Sequence, residues 1–147
     1  MTTLTMLDFE FRLLRNGGEY GYLAAVEDME PTLRMRDSGE IKTSLAATFD
    51  PVAHDADGAP IAVDWTTDEI EPVMILDGTA HPLGIYAVAQ IDPRDTGTDA
   101  SLTVQAYDRC WRVRDTRKNE LLYWPSGTLY LDAIKQLLSA AGIRTVI

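Results

Sequence analysis

A chain of 147 residues with 23 acidic and 13 basic side chains carries a net charge of -10. That length suits one domain with a proper core, and that charge argues against a general nucleic-acid binder, because phosphate neutralisation needs a basic surface. Runs of about 18 apolar residues, which a membrane-spanning helix needs, are missing, and the single cysteine, Cys110, excludes an intrachain disulfide and points to a reducing compartment.

Residues 1–11 hold two acidic and no basic side chains, so the expectation is that they are not a signal peptide. From Asp8 to Arg15, Phe9, Phe11 and Leu13 alternate with Glu10 and Arg12, the period of a half-buried strand. Asn16-Gly17-Gly18-Glu19 predicts a hairpin turn, since Asn-Gly and Gly-Gly accept positive φ. Tyr20 to Val26 is the partner strand. An acidic loop ends at Pro31, and Leu33 and Met35 alternate with Arg34 and Arg36 in a third strand. Glu40 to Phe49 alternates most cleanly, with Ile41, Thr43, Leu45, Ala47 and Phe49 on one face. A slip of one residue would expose that whole set, so its register should be fixed.

Asp50 to Pro60 reads as a surface loop, and Ile61 to Trp65 as a short strand. Thr66 to Glu71 is acidic without a clear pattern. Four consecutive apolar residues, Val73 to Leu76, predict a strand buried on both faces, and Asp77-Gly78 a hairpin. Leu83 to Ile91 follows as a long strand with Ile85, Ala87, Ala89 and Ile91 on one side. Asp92 to Asp99 is a turn, and Leu102 to Asp108 a further strand. After an Arg-rich connection, Gly127-Thr128 offers an N-cap hydroxyl and Gly142 a C-terminal glycine. Between them Leu131, Ile134, Leu138 and Ala141 form one apolar stripe. The expected fold is mainly β: a small antiparallel β-barrel or sandwich with one C-terminal flanking helix, about residues 128–141, packed on the sheet.

Asp50, Asp55, Asp57, Gly58 and Asp64 cluster loosely, but their spacing departs from a calcium loop, and a solvated loop is the better reading. His54 and His81 stand outside any zinc-binding pattern. Cys110 beside Trp111, at what reads as the end of a strand, is expected to be a buried inert thiol rather than a nucleophile. Nucleophile-elbow, P-loop and dinucleotide patterns do not occur. The expectation is therefore no enzyme, no cofactor and no metal. Arg109, Arg112, Arg114, Arg117 and Lys118 fall within ten positions of an acidic chain. They form either an anion site or a patch that docks an acidic neighbour or a second copy, or else local pairs with Asp108, Asp115 and Glu120. Trp111, Tyr123, Trp124 and Tyr130 crowd the helix, as a seal between helix and sheet or, second, as an interface core.

Asp77-Gly78, then "HPLGIYAVAQID", then "ASLTVQAYDRCWRVRDTRKNELLYWPSGTLYLDAIKQLLSAAGI" resembles the first, tube-like domain of tail and baseplate hub proteins of long-tailed phages and prophages. That domain is similar to its counterpart in type VI secretion spike proteins. The pattern falls on Gly84-Ile85, Tyr107-Asp108, Thr128, Ile134, Leu137, Leu138, Gly142 and Ile143, and "RMRDSGEIKTSLAATF" resembles the same domain's opening strands. The resemblance implies a structural, non-enzymatic protein of the virion tail, made in the bacterial host cytoplasm. It would form a homo-oligomeric ring continuous with the tail tube and dock tail-tube and distal-tail proteins. Specific nucleic-acid binding and membrane contact are not implied, and an acidic lumen would let DNA pass. Family members are longer, so the expectation is one hub-like domain over 1–147 that either stands alone or opens a longer protein. Arg109, Arg112, Arg114, Arg117 and Trp124 are the expected contact residues. The alternative is a β-barrel adaptor that recognises carbohydrate or peptide through its aromatic patch.

Overall fold

A computed structural model describes residues 6–26, 31–35, 43–115 and 123–143. β1 (Leu7–Arg15) and β2 (Gly18–Leu23) form the first hairpin. Asn16 and Gly17 both take positive φ there, the conformation that lets a two-residue loop follow the twist of its strands. β3 (Thr32–Met35) pairs with β4 (Thr43–Phe49). β7 (Glu69–Leu76) and β8 (Thr79–Pro82) meet at Asp77-Gly78, again with positive φ at both positions. β9 (Tyr86–Asp95) and β10 (Ala100–Asp108) make the longest hairpin.

The strands share one antiparallel sheet in the order β3-β4-β10-β9-β7-β1-β2, continued by two short strands, β5 (Ala53–His54) and β6 (Pro60–Ile61). The residues after β2 bring this path back on itself. Ala25 bridges Phe49, with Val26 N–H donating to Thr48 O and Asp50 N–H to Ala24 O. β1, β2, β4, β10, β9 and β7 thus circle one core of Phe11, Leu13, Leu23, Leu45, Phe49, Ile70, Tyr86 and Val104. Phe11 and Phe49 meet edge to face, ring centres 5.0 Å apart. The fold is one antiparallel sheet, open in its strand order, that curls into a small barrel joined to itself at the Ala25–Phe49 bridge, and the alternation in β1, β4 and β10 correctly marks its inner face.

Several expectations change. The loop expected over Asp50 to Pro60 contains β5 and β6, because Ala53 is drawn into the core beside Gly21. A Cβ on Gly21 would lie 2.2 Å from Ile61 Cδ1 and 2.8 Å from His54 O. The second contact is backbone and cannot swing aside. Gly21→Ala should therefore destabilise the fold by about 1–3 kcal/mol in urea titration.

β9 starts at Tyr86 and runs on to Asp95, through the residues expected to turn. A bulge opposite Gln105 and Ala106 skips Ala89. It puts Val88 on the face of Ala106 and Ile91 on that of Val104, so no single set of alternate residues faces inward along β9. Cys110 does not end a strand. It opens a short helix, α1 (Cys110–Asp115), and is exposed rather than buried.

The C-terminal helix, α2, spans Tyr130–Ala140, shorter than the expected 128–141. The Thr128 hydroxyl donates to Pro125 O at 2.8 Å, inside the preceding turn, so Leu129 occupies the N-cap without a capping side chain. The other end is as expected. Gly142 has φ 76°, its N–H reaches Ser139 O, and Ile143 N–H reaches Leu138 O, a Schellman stop. The stripe on α2 is not packed on the sheet: no residue of α2 is buried, and Ile134 is 49% exposed. Tyr123 and Tyr130 are 80% and 90% exposed, which removes them from any seal between helix and sheet. Among the described residues, no helix is long and apolar enough to cross a membrane.

Candidate functional site

The most connected polar cluster stands where β7 begins. Asp64 turns the chain: its backbone O accepts from Thr67 and Asp68 N–H, and its Oδ1 accepts from the Thr66 amide and hydroxyl. That turn places Asp68 and Glu69 at the start of a strand whose next residue, Ile70, lies in the core. Successive side chains of an extended chain alternate in direction, so the two acids serve opposite sides.

Asp68 is 1% exposed. Arg15 donates to both its oxygens, Nε to Oδ1 at 2.9 Å and Nη2 to Oδ2 at 2.8 Å. The Tyr20 hydroxyl and the Asp64 amide also donate to Oδ2, the latter at 2.7 Å. Tyr20 arrives there because it is the extra residue of a bulge, skipped between the pairs Leu13–Gly21 and Leu14–Glu19. The Arg15 guanidinium lies 4.4 Å from the centre of the Tyr20 ring. Burial pushes the Asp68 carboxyl up, but its bonds to Arg15, Tyr20 and the Asp64 amide outweigh that and hold it below the usual range. Burial first, and then the bond to Asp68, pushes the Tyr20 hydroxyl above its ordinary value. A carboxylate held ionised by several donors is a weak proton acceptor. The cluster fastens the Asp64 turn to the first hairpin.

Glu69 takes the other side. It forms one row across the outer surface with Leu14 of β1, Ala87 of β9 and, beyond it, Tyr107 of β10. Arg109 grips it in a fork, Nη2 to Oε2 at 2.8 Å and Nε to Oε1 at 3.2 Å. Arg112 Nε lies 4.0 Å from Glu69 Oε1, and its Nη2 donates to Thr67 O at 2.9 Å. Two of the expected docking arginines therefore engage the barrel wall through Glu69, which lies 40 residues from Arg109 in sequence. Arg114 sits on α1, while Arg117 and Lys118 lie outside the described residues. Trp124 is half-buried and donates from Nε1 to Gln136 Oε1 of α2 at 2.9 Å. The structure joins Arg109 with Arg112 through Glu69, and Trp124 with α2.

The loop carboxylates act locally. Asp55 Oδ1 accepts from the Asp57 and Ala59 amides and closes the β5–β6 turn, and Asp50 Oδ1 accepts from the Val52 amide. Among the described residues, His, Cys, Asp and Glu form no group of three that could hold a metal.

An open groove of about 520 Å³ lies between the Asp64 turn, β9 and α1. It is lined by Trp65 and Thr66 from the turn, Val88 to Ile91 of β9, Trp111 and Arg112 of α1, and Ala141. Trp111 is held in place by Tyr107, ring centres 6.4 Å apart. Sequence reasoning passed over Trp65, Asp68 and Glu69, which lie in or beside the stretch without a pattern. A buried carboxylate is written like an exposed one, and no nearby residue announces Arg15 or Arg109 as its partner.

These features define a small mainly-β barrel whose polar clusters serve structure and whose α2 leaves Leu131, Ile134 and Leu137 uncovered. No family model and no curated protein matches the chain in sequence.

Proposed function

We propose that this chain is a non-enzymatic structural domain of a phage or prophage tail tip or baseplate hub. It would self-assemble into a ring continuous with the tail tube and dock neighbouring tail proteins. The observation that carries an assembly role is α2. Leu131, Ile134 and Leu137 are exposed on an eleven-residue helix with nothing buried, and Leu129 is exposed at its N-cap; exposed apolar surface of this kind marks contact sites. The sequence resemblance supplies the tail context. The barrel with projecting β7–β8 and β9–β10 hairpins fits it, and the net charge of -10 suits a passage for DNA. In this reading α2 and Trp124 make the contact. Arg109 and Arg112 support the wall behind it.

The test is the mass in solution, by light scattering, of the chain alone and mixed with a tail-tube protein. Rings or complexes should form and persist in about 1 M NaCl, because an apolar contact is not screened. The double variant Leu131→Ser, Ile134→Ser should change fold stability by less than about 0.5 kcal/mol and abolish the assembly. Assembly that never forms, or that ignores the double variant, overturns the reading.

A further inference from the structure

The groove is lined by a strand with one open side. β9 pairs with β10 along its whole length, from Tyr86–Asp108 to Asp95–Ala100. On its other side it pairs with β7 at only two positions, Tyr86–Ile70 and Ala87–Glu69. There β7 ends, and the chain leaves through the Asp64 turn. From Val88 onward no described strand takes the second edge of β9. Proteins usually shield such an edge with charge, proline or a covering element. Here Pro93 and the exposed Asp92, Arg94 and Asp95 guard its far end, but Val88 to Ile91 line a groove that Trp65 and Trp111 also line.

We propose that this groove is a strand-addition site for an extended segment of another protein. Backbone groups along Val88–Ile91 need a second backbone, and an added strand supplies one. Alternate side chains of that strand point into the groove, where Trp65 and Trp111 offer apolar surface, so those positions carry Val, Ile or Leu. The flanks of the segment are basic. Asp92 and Asp95 continue the edge, and Arg112 is already engaged by Glu69 and Thr67 O. The β9 edge of a second copy is disfavoured as occupant, because it brings Asp92 and Asp95 where the segment needs basic flanks. This proposal does not rest on the tail reading. It uses the groove, not the α2 stripe.

The experiment uses the full chain and two synthetic peptides, capped at both ends. One alternates three valines with two threonines between terminal lysines. The other has the same composition with the valines contiguous. Binding is followed by tryptophan fluorescence, and amide protection by NMR hydrogen exchange. The alternating peptide should bind saturably, protect amides in the 88–92 stretch, and bind more weakly as salt rises. Trp111→Ala should raise its Kd about tenfold, whereas Tyr123→Ala, outside the groove, should leave it unchanged. Three results would each overturn the proposal: no protection at 88–92, equal binding by the contiguous peptide, or protection that grows with protein concentration and needs no peptide.

Discussion

Replacing Phe49 by Ala should cost about 3–5 kcal/mol and lower the midpoint of thermal unfolding by ~10 °C for a chain of this size. Phe49 is fully buried, meets Phe11 edge to face, and stands at the residue whose backbone bridges Ala25. Truncation removes the transfer energy of the ring and leaves a cavity that β4 cannot collapse into, because β4 is held by β10 from Ser44 to Phe49 and by β3 from Thr43 to Ala46. It also weakens the point where the barrel closes. Hydrogen exchange should show the second effect as faster opening of the Val26 and Asp50 amides than of those in β10. Ile134→Ala on α2 is the control and should move stability by less than about 0.5 kcal/mol. A loss for Phe49→Ala no larger than that of the control would contradict the assignment of Phe49 to the core.

The second large effect belongs to Asp68. Asp68→Ala strips the Tyr20 hydroxyl and the Asp64 amide of their acceptor and leaves Arg15 without its partner. Removing one side of a buried charged cluster costs about 3–5 kcal/mol. Arg15 can turn to solvent, which lowers the expectation to about 2–4 kcal/mol. Asp68→Asn keeps an acceptor and should lose less.

The same cluster sets a pH signature. The Asp68 carboxyl is held below its ordinary value in the fold, so it binds protons more weakly folded than unfolded. Its stabilisation is complete above the ordinary carboxylate range, around pH 4, and disappears as pH falls through the lowered folded value. Tyr20 is displaced upward. Its contribution is complete below the ordinary tyrosine value, around pH 10, and is lost as pH rises towards the folded one. Urea midpoints measured across pH should fall at both ends. Tyr20→Phe should flatten the alkaline fall, and Asp68→Asn the acid one. Unchanged profiles in both variants would separate the pH response from this cluster.

The hairpins at Asn16-Gly17 and Asp77-Gly78, the inner faces of β1, β4 and β10, and the glycine stop of α2 were all legible in the chain. Each depends on residues a few positions apart: positive φ at a turn, period-two alternation, a left-handed residue after a helix. The bulge in β9 was not legible, because it is defined by which residue of β9 goes unmatched against β10. Nor was the fate of the arginines. Their nearest acids in sequence are Asp108 and Asp115, yet Arg109 reaches Glu69, which only the pairing of β9 with β7 brings within range.

The stripe on α2 separates the two kinds of information most plainly. Leu131, Ile134, Leu138 and Ala141 determine an amphipathic helix, since their spacing puts them on one side of it. They do not determine what that side meets. The barrel fills its interior with residues from its own strands, and α2 is left with Leu131, Ile134 and Leu137 in contact with solvent, while Leu138 is half-buried and Ala141 buried. Composition and periodicity settled the longer strands, the two tight turns and the inner faces of β1, β4 and β10, because these follow from local sterics and from hydrophobic spacing. Barrel closure, the burial of Asp68 and Glu69, and the open edge of β9 were decided only in three dimensions, where residues far apart in the chain compete for the same neighbours.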